Sequence, residues 1–218
     1  MPRYQHILFD LDGTLIDSAP AILASYREAF SRCDVTPART IDESIVGPPL
    51  IETLQLLTAS HDPALIERLA EAFKASYDSE GYQQTAAYAG VGEMLAQLRD
   101  AGLQLSIATN KRILPTRLIL DHLGWLGHFE HLYALDLFEP RLPHKAAMIA
   151  RLLADKEIPR DASIYIGDRS EDGESADANS LPFIAATWGY GSIEPAAMAH
   201  HWQYTATPAA LARLLLAG

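Results

Sequence analysis

The stretch that most constrains the fold of this chain is Leu8–Ser18, where an apolar run ends in a cluster of aspartates. Ile7–Phe9 predicts a buried strand, and Asp10 and Asp12 follow it two residues apart. In open α/β sheets, ligands bind in the crevice at the carboxyl ends of the strands. Two neighbouring carboxylates repel each other, and a divalent cation with a preference for carboxylate oxygens relieves that repulsion. The stretch therefore predicts a strand end with one carboxylate at a metal and another beside it for proton transfer.

Two other interpretations of this stretch need no catalytic site. Aspartate and glycine are common in turns at strand ends, so the segment also fits an ordinary turn. A calcium loop of the EF-hand type needs an oxygen ligand at its fifth position and glycine at its sixth. Counted from Asp10, the fifth residue is Thr14 but the sixth is Leu15, so the EF-hand pattern fails. The turn stays open as the alternative.

Composition and charge argue against several classes of partner. The chain has 218 residues, 49% of them hydrophobic, as in ordinary globular domains. Its formal net charge of −11 argues against nonspecific binding to nucleic acid or to an anionic membrane. No apolar run approaches the ~20 residues that a membrane helix needs. With Cys33 as the single cysteine, no internal disulfide can form, which favours a reducing cytoplasm. We expect a monomer or a homodimer.

The order of the predicted elements divides the chain into two units. Between the first strand and about Tyr82, apolar residues recur only at helical spacing. Beyond that point, strands alternate with helices, which predicts a parallel sheet with helices on both faces. We therefore predict an α/β core formed by residues 1–14 and 85–218, with an all-helical unit inserted at 15–84.

Two later strand ends also carry polar side chains. Thr109–Asn110 ends the predicted strand Leu103–Ala108, where a hydroxyl and nearby amides can hold phosphate oxygens. Ile164–Ile166 runs into Gly167 and Asp168, and Asp172 follows four residues after Asp168. We predict that Asp168 is a metal ligand and that Asp172 orients the groups around it.

Together these motifs resemble those of the haloacid dehalogenase-like phosphohydrolases. The resemblance is carried by DLDGTLIDS after an apolar strand, by SIATNK and by GDRSED. The details TNK, GDR, Gly47–Leu50 and Trp188–Gly191 are most similar to the branch of phosphoglycolate phosphatases and 5′-nucleotidases. The resemblance implies a Rossmann-like core, a helical cap over the active site, and Mg²⁺ as the cofactor.

The resemblance also implies a role for each aspartate. Asp10 would attack phosphorus and bind the metal, and Asp12 would protonate the leaving oxygen and then activate water. Asp168 and the backbone carbonyl of Asp12 would complete the metal site. Asp172 would reach a metal-bound water or the phosphate-binding lysine that the resemblance also implies.

The phosphate-binding residues implied by the resemblance are Thr109, Asn110 and one lysine. Many family members carry this lysine before a proline, whereas this chain reads Arg141–Lys145 as RLPHK. We assign the role to Lys145 because of its spacing to the following helix and to the GD motif, with Arg141 as the fallback. A cation in the first turn of a helix is unfavourable unless an anion lies nearby, which fits a phosphate site.

The sequence thus predicts a phosphatase for a small phosphorylated metabolite, either phosphoglycolate or a nucleoside monophosphate. Asp12 favours phosphoester chemistry, because the dehalogenases of the superfamily lack this second aspartate. Ser18 and Gly47–Leu50 are candidate contacts for the leaving group. A phosphomutase acting on a sugar phosphate remains an alternative, as does a regulatory protein that binds a phosphate compound without catalysis.

Overall fold

The computed structural model describes residues 2–190, 193 and 198–217, and the structural statements below refer to these residues. The strands of this part are, in chain order, β1 (His6–Phe9), β2 (Ile16–Asp17), β3 (Ala86–Ala87), β4 (Gln104–Thr109), β5 (His131–Ala134), β6 (Ser163–Gly167), β7 (Phe183–Ala186) and β8 (Gln203–Thr205). Its α-helices are α1 (Ala19–Arg32), α2 (Leu50–Thr58), α3 (Pro63–Tyr77), α4 (Val91–Asp100), α5 (Ile113–His122), α6 (Lys145–Asp155), α7 (Ser170–Ala178) and α8 (Pro208–Leu216).

The main sheet has six strands in the order β5-β4-β1-β6-β7-β8, and every adjacent pair is parallel. Strand β1 lies between β4 and β6, so it is buried on both faces. A strand in this position is a continuous apolar run rather than an alternating one, which explains Ile7–Phe9. The predicted α/β class with a parallel sheet is confirmed.

Side chains alternate along each strand between two hydrophobic cores, one on each face of the sheet. Ile7 and Phe9 of β1 belong to the core that α4, α5 and α8 cover, whereas Leu8 belongs to the core that α6 and α7 cover. Ile164 and Tyr165 of β6 divide in the same way. Because successive side chains of a strand point to opposite faces, both faces need helices to exclude water.

The carboxyl ends of β4, β1 and β6 lie side by side. Phe9, the last residue of β1, pairs in register with Ile107 of β4 and Ile166 of β6. The residues that follow these three positions therefore meet at one edge of the sheet, as Asp10 and Asp168 do.

Helices α1, α2 and α3 lie between two short strands that pair with each other. Strands β2 and β3 are antiparallel, with Ile16 opposite Ala87 and Asp17 opposite Ala86. Within this insertion, Tyr26 of α1 packs on Phe73 of α3 with 4.5 Å between ring centroids. The polypeptide thus leaves the main sheet and returns to it through the β2–β3 pair, which lies next to the predicted boundaries 15 and 84. The division into two domains at those residues stays a prediction.

Sequence patterns missed β2, β3 and β8, because strands of two or three residues are too short to show a period of two. Gly191, one of the residues used for the resemblance, lies outside the described residues. Among the described residues, no helix combines the length and the apolar character of a membrane span.

Candidate active site

Three of the aspartates predicted from the sequence form a buried cluster at the edge of the sheet. Asp10, Asp168 and Asp172 each place a carboxylate oxygen within 4.8 Å of the others. Asp10 is 5% exposed, and Asp168 and Asp172 are fully buried. Three carboxylates in so little space, shielded from water, need cations to balance their charge.

Lys145 supplies one positive charge to this cluster. Its ammonium lies 3.2 Å from Asp10 Oδ2 and also forms an ion pair with Asp172 Oδ1. Burial alone would lower the pKa of Lys145, but Asp10 and Asp172 raise it well above its usual range. Arg141, the fallback for this role, instead pairs with Glu52 of α2 at 2.7 Å and is partly exposed. The structure therefore brings Lys145, and not Arg141, to the aspartates.

Asp172 orients its neighbours through both of its oxygens. Oδ2 accepts hydrogen bonds from the backbone N–H groups of Asp168, at 3.1 Å, and Arg169, at 3.0 Å. Oδ1 accepts from the Lys145 ammonium. A Cβ on Gly167 would collide with the Asp172 carboxylate, so a glycine before Asp168 allows this close approach. Asp172 thereby fixes the backbone that carries Asp168.

The donor set fits a magnesium ion. Asp10 Oδ1 is buried and has no hydrogen-bond partner. Burial raises the pKa of Asp10 to about 6, even though Lys145 opposes the shift. A nearby divalent cation would stabilise the ionised form of such a carboxylate, and oxygen ligands suit Mg²⁺. Gly13 has φ of +82°, and a Cβ there would meet the Asp168 carboxylate, so the backbone also approaches this cluster closely.

The polar residues at the end of β4 lie beside the aspartates. Thr109 is 1% exposed, and it lies close enough to Asp10 to lower the pKa of that carboxyl. The Asn110 side-chain N–H group donates to Glu171 at 3.1 Å and to the carbonyl of Gly47 at 3.4 Å. The Asn110 side-chain oxygen has no partner. Asn110 thus links the end of β4 to α7 and to the insertion.

Sequence analysis missed Lys111 as a site residue. The Lys111 ammonium lies 3.0 Å and 3.2 Å from the two oxygens of Asp12, and its side chain is 5% exposed. Ser18 donates a further hydrogen bond to Asp12 Oδ1. The motif TNK contains Lys111, but a lysine in a loop after a strand is usually solvated, so the sequence alone did not reveal its burial.

A cavity opens beside Asp12 between the core and the insertion. Its polar wall includes Asp12, Lys111 and Arg112 of the core. The other wall is formed mainly by apolar residues of the insertion and includes Ile22, Tyr26, Ile45, Val46, Gly47, Pro48, Leu50, Phe73 and Tyr77. Of the two predicted leaving-group contacts, the Gly47–Leu50 loop lines this cavity, whereas Ser18 is fully buried and bonds to Asp12.

An ion pair at the same boundary connects the end of α3 to the start of α5. Arg112 donates two hydrogen bonds to Asp78, at 2.6 and 2.7 Å, and their side chains are 18% and 15% exposed. Bidentate pairs of this kind fix geometry better than single contacts do.

Comparison with known proteins matches residues 7–186 to the haloacid dehalogenase-like hydrolase family. Tyrosine-protein kinase PtkA of Mycobacterium tuberculosis is 35% identical over 191 residues. That alignment covers 87% of this chain but 64% of the relative, so the chain spans less than two thirds of its length.

Other relatives match over more of their length. The 5′-nucleotidase of Pseudomonas aeruginosa is 30% identical over 98% of this chain and 96% of its own. The phosphoglycolate phosphatase of Xylella fastidiosa is 33% identical over 90% of this chain and 85% of its own. The crystal structure of a predicted phosphatase from Clostridium acetobutylicum superimposes with a TM-score of 0.87 at 28% identity, covering 99% of both chains.

Proposed function

Since this chain belongs to the haloacid dehalogenase-like hydrolase family, we propose that it is a magnesium-dependent phosphatase for a small phosphomonoester. The observation that carries the proposal is that Asp10 and Asp12 follow the same strand, yet their side chains have different surroundings. Asp10 lies against Lys145 and Asp172, whereas Asp12 faces the cavity with Lys111 and Ser18. Carboxylates in different environments can take the separate roles of nucleophile and acid.

In this mechanism Asp10 attacks phosphorus and forms an aspartyl-phosphate. Asp12 gives a proton to the leaving oxygen and then takes one from the water that hydrolyses the intermediate. Asp12 lines the cavity, so it can reach both the leaving group and the water of a substrate bound there.

The negative charge on the transferring phosphoryl group needs fixed donors. We assign this role to Lys145, Thr109 and Asn110, which lie next to Asp10 or at the end of β4. Asp172 holds Lys145 in place. Bound by Asp10, Asp168 and the backbone carbonyl of Asp12, Mg²⁺ would neutralise charge on the phosphate.

The apolar wall of the cavity would exclude water during the reaction and select the leaving group. We propose phosphoglycolate or a nucleoside monophosphate as the substrate, since relatives named phosphoglycolate phosphatase and 5′-nucleotidase match most of the chain. A reducing cytoplasm fits the free, partly buried Cys33. The state of assembly, monomer or homodimer, stays a prediction.

A second candidate function is phosphoryl transfer to a hydroxyl group rather than to water. The relative named a tyrosine-protein kinase, at 35% identity, favours it. The same Asp10 intermediate would form, but its phosphoryl group would pass to an alcohol or a phenol. A phosphorylated acceptor or a sugar-phosphate isomer appearing without free phosphate would distinguish transfer from hydrolysis.

The test is phosphate release from a panel of phosphomonoesters, with Mg²⁺ and with EDTA. We expect release by the wild type in Mg²⁺, and none from Asp10→Asn, because the amide is a poor nucleophile toward phosphorus. Asp121→Asn, an exposed change on α5, is the matched control and should keep full activity. Turnover by a clean preparation of Asp10→Asn would contradict the proposal.

A further inference from the structure

We propose that Lys111 is a positioning residue for Asp12, and that with Ser18 it holds the carboxyl group of Asp12 in place for proton transfer to the leaving oxygen. This inference rests on the proposed phosphatase function. It adds a role for Lys111, a buried lysine to which the sequence motifs assign none.

Two side chains from different parts of the chain hold the Asp12 carboxylate. Lys111 contacts both carboxylate oxygens, at 3.0 and 3.2 Å, and Ser18 donates to one of them. A carboxylate held by two donors on different elements cannot rotate freely about its side-chain bonds. One donor follows β4 and the other precedes α1, so the two hold Asp12 from separate directions.

Lys111 and Ser18 are themselves held by aromatic residues. The Lys111 ammonium lies 4.7 Å from the centre of the Tyr77 ring, a distance at which a cation is attracted to the ring face. The Ser18 hydroxyl lies 3.3 Å from the hydroxyl of Tyr190. Since both donors are already ordered in the free protein, little further entropy is lost when substrate binds.

Asp12 changes its charge during the reaction. In the first step a bond forms between an Asp10 oxygen and phosphorus, and the bond from phosphorus to the leaving oxygen breaks. The proton that Asp12 gained from water in the preceding turnover passes to that oxygen and leaves Asp12 as a carboxylate beside Lys111. Lys111 and Ser18 hold the carboxyl group of Asp12 in one place while its proton leaves, so little reorientation is needed to reach the transition state.

We therefore expect Lys111 to matter most for leaving groups that need a proton. An alkyl phosphate would release a strongly basic alkoxide, so its cleavage depends on Asp12. In p-nitrophenyl phosphate the leaving phenolate is weakly basic, so it departs without protonation. A lysine that only stabilises the fold, or only binds phosphate, would affect both substrates equally.

The experiment compares kcat/KM for p-nitrophenyl phosphate and for the best alkyl phosphate of the panel. General acid catalysis contributes about 10²- to 10⁴-fold, so we expect Lys111→Met to lose roughly 10- to 100-fold on the alkyl phosphate. We expect a loss below about threefold on the aryl phosphate, because its cleavage needs little of that acid catalysis. Lys156→Met is the matched control, because Lys156 is exposed at the opposite end of the helix that starts with Lys145.

A double-mutant cycle tests whether Lys111 acts through Asp12. In an Asp12→Asn background, Lys111→Met should cause no further loss on the alkyl phosphate. Ser18→Ala should show the same selectivity for leaving group in a milder form, and it decides the matter if Lys111→Met does not fold. Equal losses on both substrates, or full additivity with Asp12→Asn, would overturn the proposal.

Failure of the proposed function is a different result. In that case the wild type would release no phosphate from either substrate. A wild type that hydrolyses both substrates, with variants that show no leaving-group dependence, would leave the phosphatase proposal intact and remove only the role of Lys111.

Discussion

Asp10 and Asp12 are two residues apart in sequence, yet their side chains meet different neighbours. Asp10 is surrounded by Lys145, Asp172 and Thr109, and burial raises its pKa to about 6. Asp12 lies at the cavity and pairs with Lys111. The difference follows from the loop after β1, which directs one side chain into the aspartate cluster and the other toward the insertion.

Gly13, in the same loop, provides a test at the scale of one residue. Gly13→Ala places a Cβ against the Asp168 carboxylate at a φ of +82°. The left-handed conformation itself costs about 1–2 kcal/mol for an alanine. We expect Gly13→Ala to lose that stability and, in addition, most magnesium-dependent activity, because Asp168 must move.

Gly102→Ala is the control for this change. Gly102 has almost the same φ, +81°, but a Cβ there would have no atom within 4 Å. Chemical denaturation and phosphate release should show a similar cost in stability for this variant with normal activity. If Gly13→Ala kept full activity, the close approach of the loop to Asp168 would not matter for the reaction.

At the scale of elements, the insertion is joined to the core by more than its two connecting segments. Arg112 at the start of α5 pairs with Asp78 at the end of α3, and Asn110 donates to the carbonyl of Gly47. These contacts lie at the edge of the cavity whose walls the two units share. The pairs therefore help to set the distance between the apolar wall and Asp12.

Asp78→Asn should weaken this connection, because it removes the charge that Arg112 holds with two hydrogen bonds. For a partly buried pair we expect a loss of about 1 kcal/mol, above the usual value for exposed pairs. Faster hydrogen exchange in α3 and a higher KM should follow. Arg32→Gln breaks the Glu28–Arg32 pair on α1, whose side chains are 50% and 55% exposed, and should change neither quantity. Equal effects of the two substitutions would show that the Asp78 pair has no special role.

At the scale of the whole molecule, the aspartate cluster gathers residues from distant parts of the chain. Asp10 comes from the first strand end, and Asp168 and Asp172 follow β6. The unfolded chain has no such site, so a cation that binds the cluster must favour the folded state.

Magnesium should therefore raise the melting temperature of the protein. A ligand at 100 times its dissociation constant adds about 2.7 kcal/mol, or roughly 5–10 °C for a chain of this size. Asp168→Asn should remove this rise, while Asp161→Asn, an exposed change just before β6, should keep it. Circular dichroism during thermal unfolding, in Mg²⁺ and in EDTA, measures the melting temperature of each variant. If the melting temperature of the wild type were the same in Mg²⁺ and in EDTA, this would argue against a metal in this cluster.

The sequence by itself determined the class of the fold and the strand ends that carry the aspartates. Its signals were local: apolar strands, helical spacing, and acidic or glycine residues placed directly after a strand. Because parallel strands end at the same edge of a sheet, the sequence predicted that Asp10 and Asp168 lie at one edge. That β1 and β6 are neighbours, which brings the two aspartates together, came from the tertiary structure. Local periodicity and covalent adjacency require no knowledge of the rest of the chain.

The tertiary structure alone decided which cations reach these carboxylates. Lys145 rather than Arg141 meets Asp10, and Lys111, which looks like a surface residue in sequence, is buried against Asp12. Burial of a lysine depends on what covers it, and here the cover includes Tyr77 of the insertion. That contact joins residues far apart in the chain, so only the packing of the insertion on the core could reveal it.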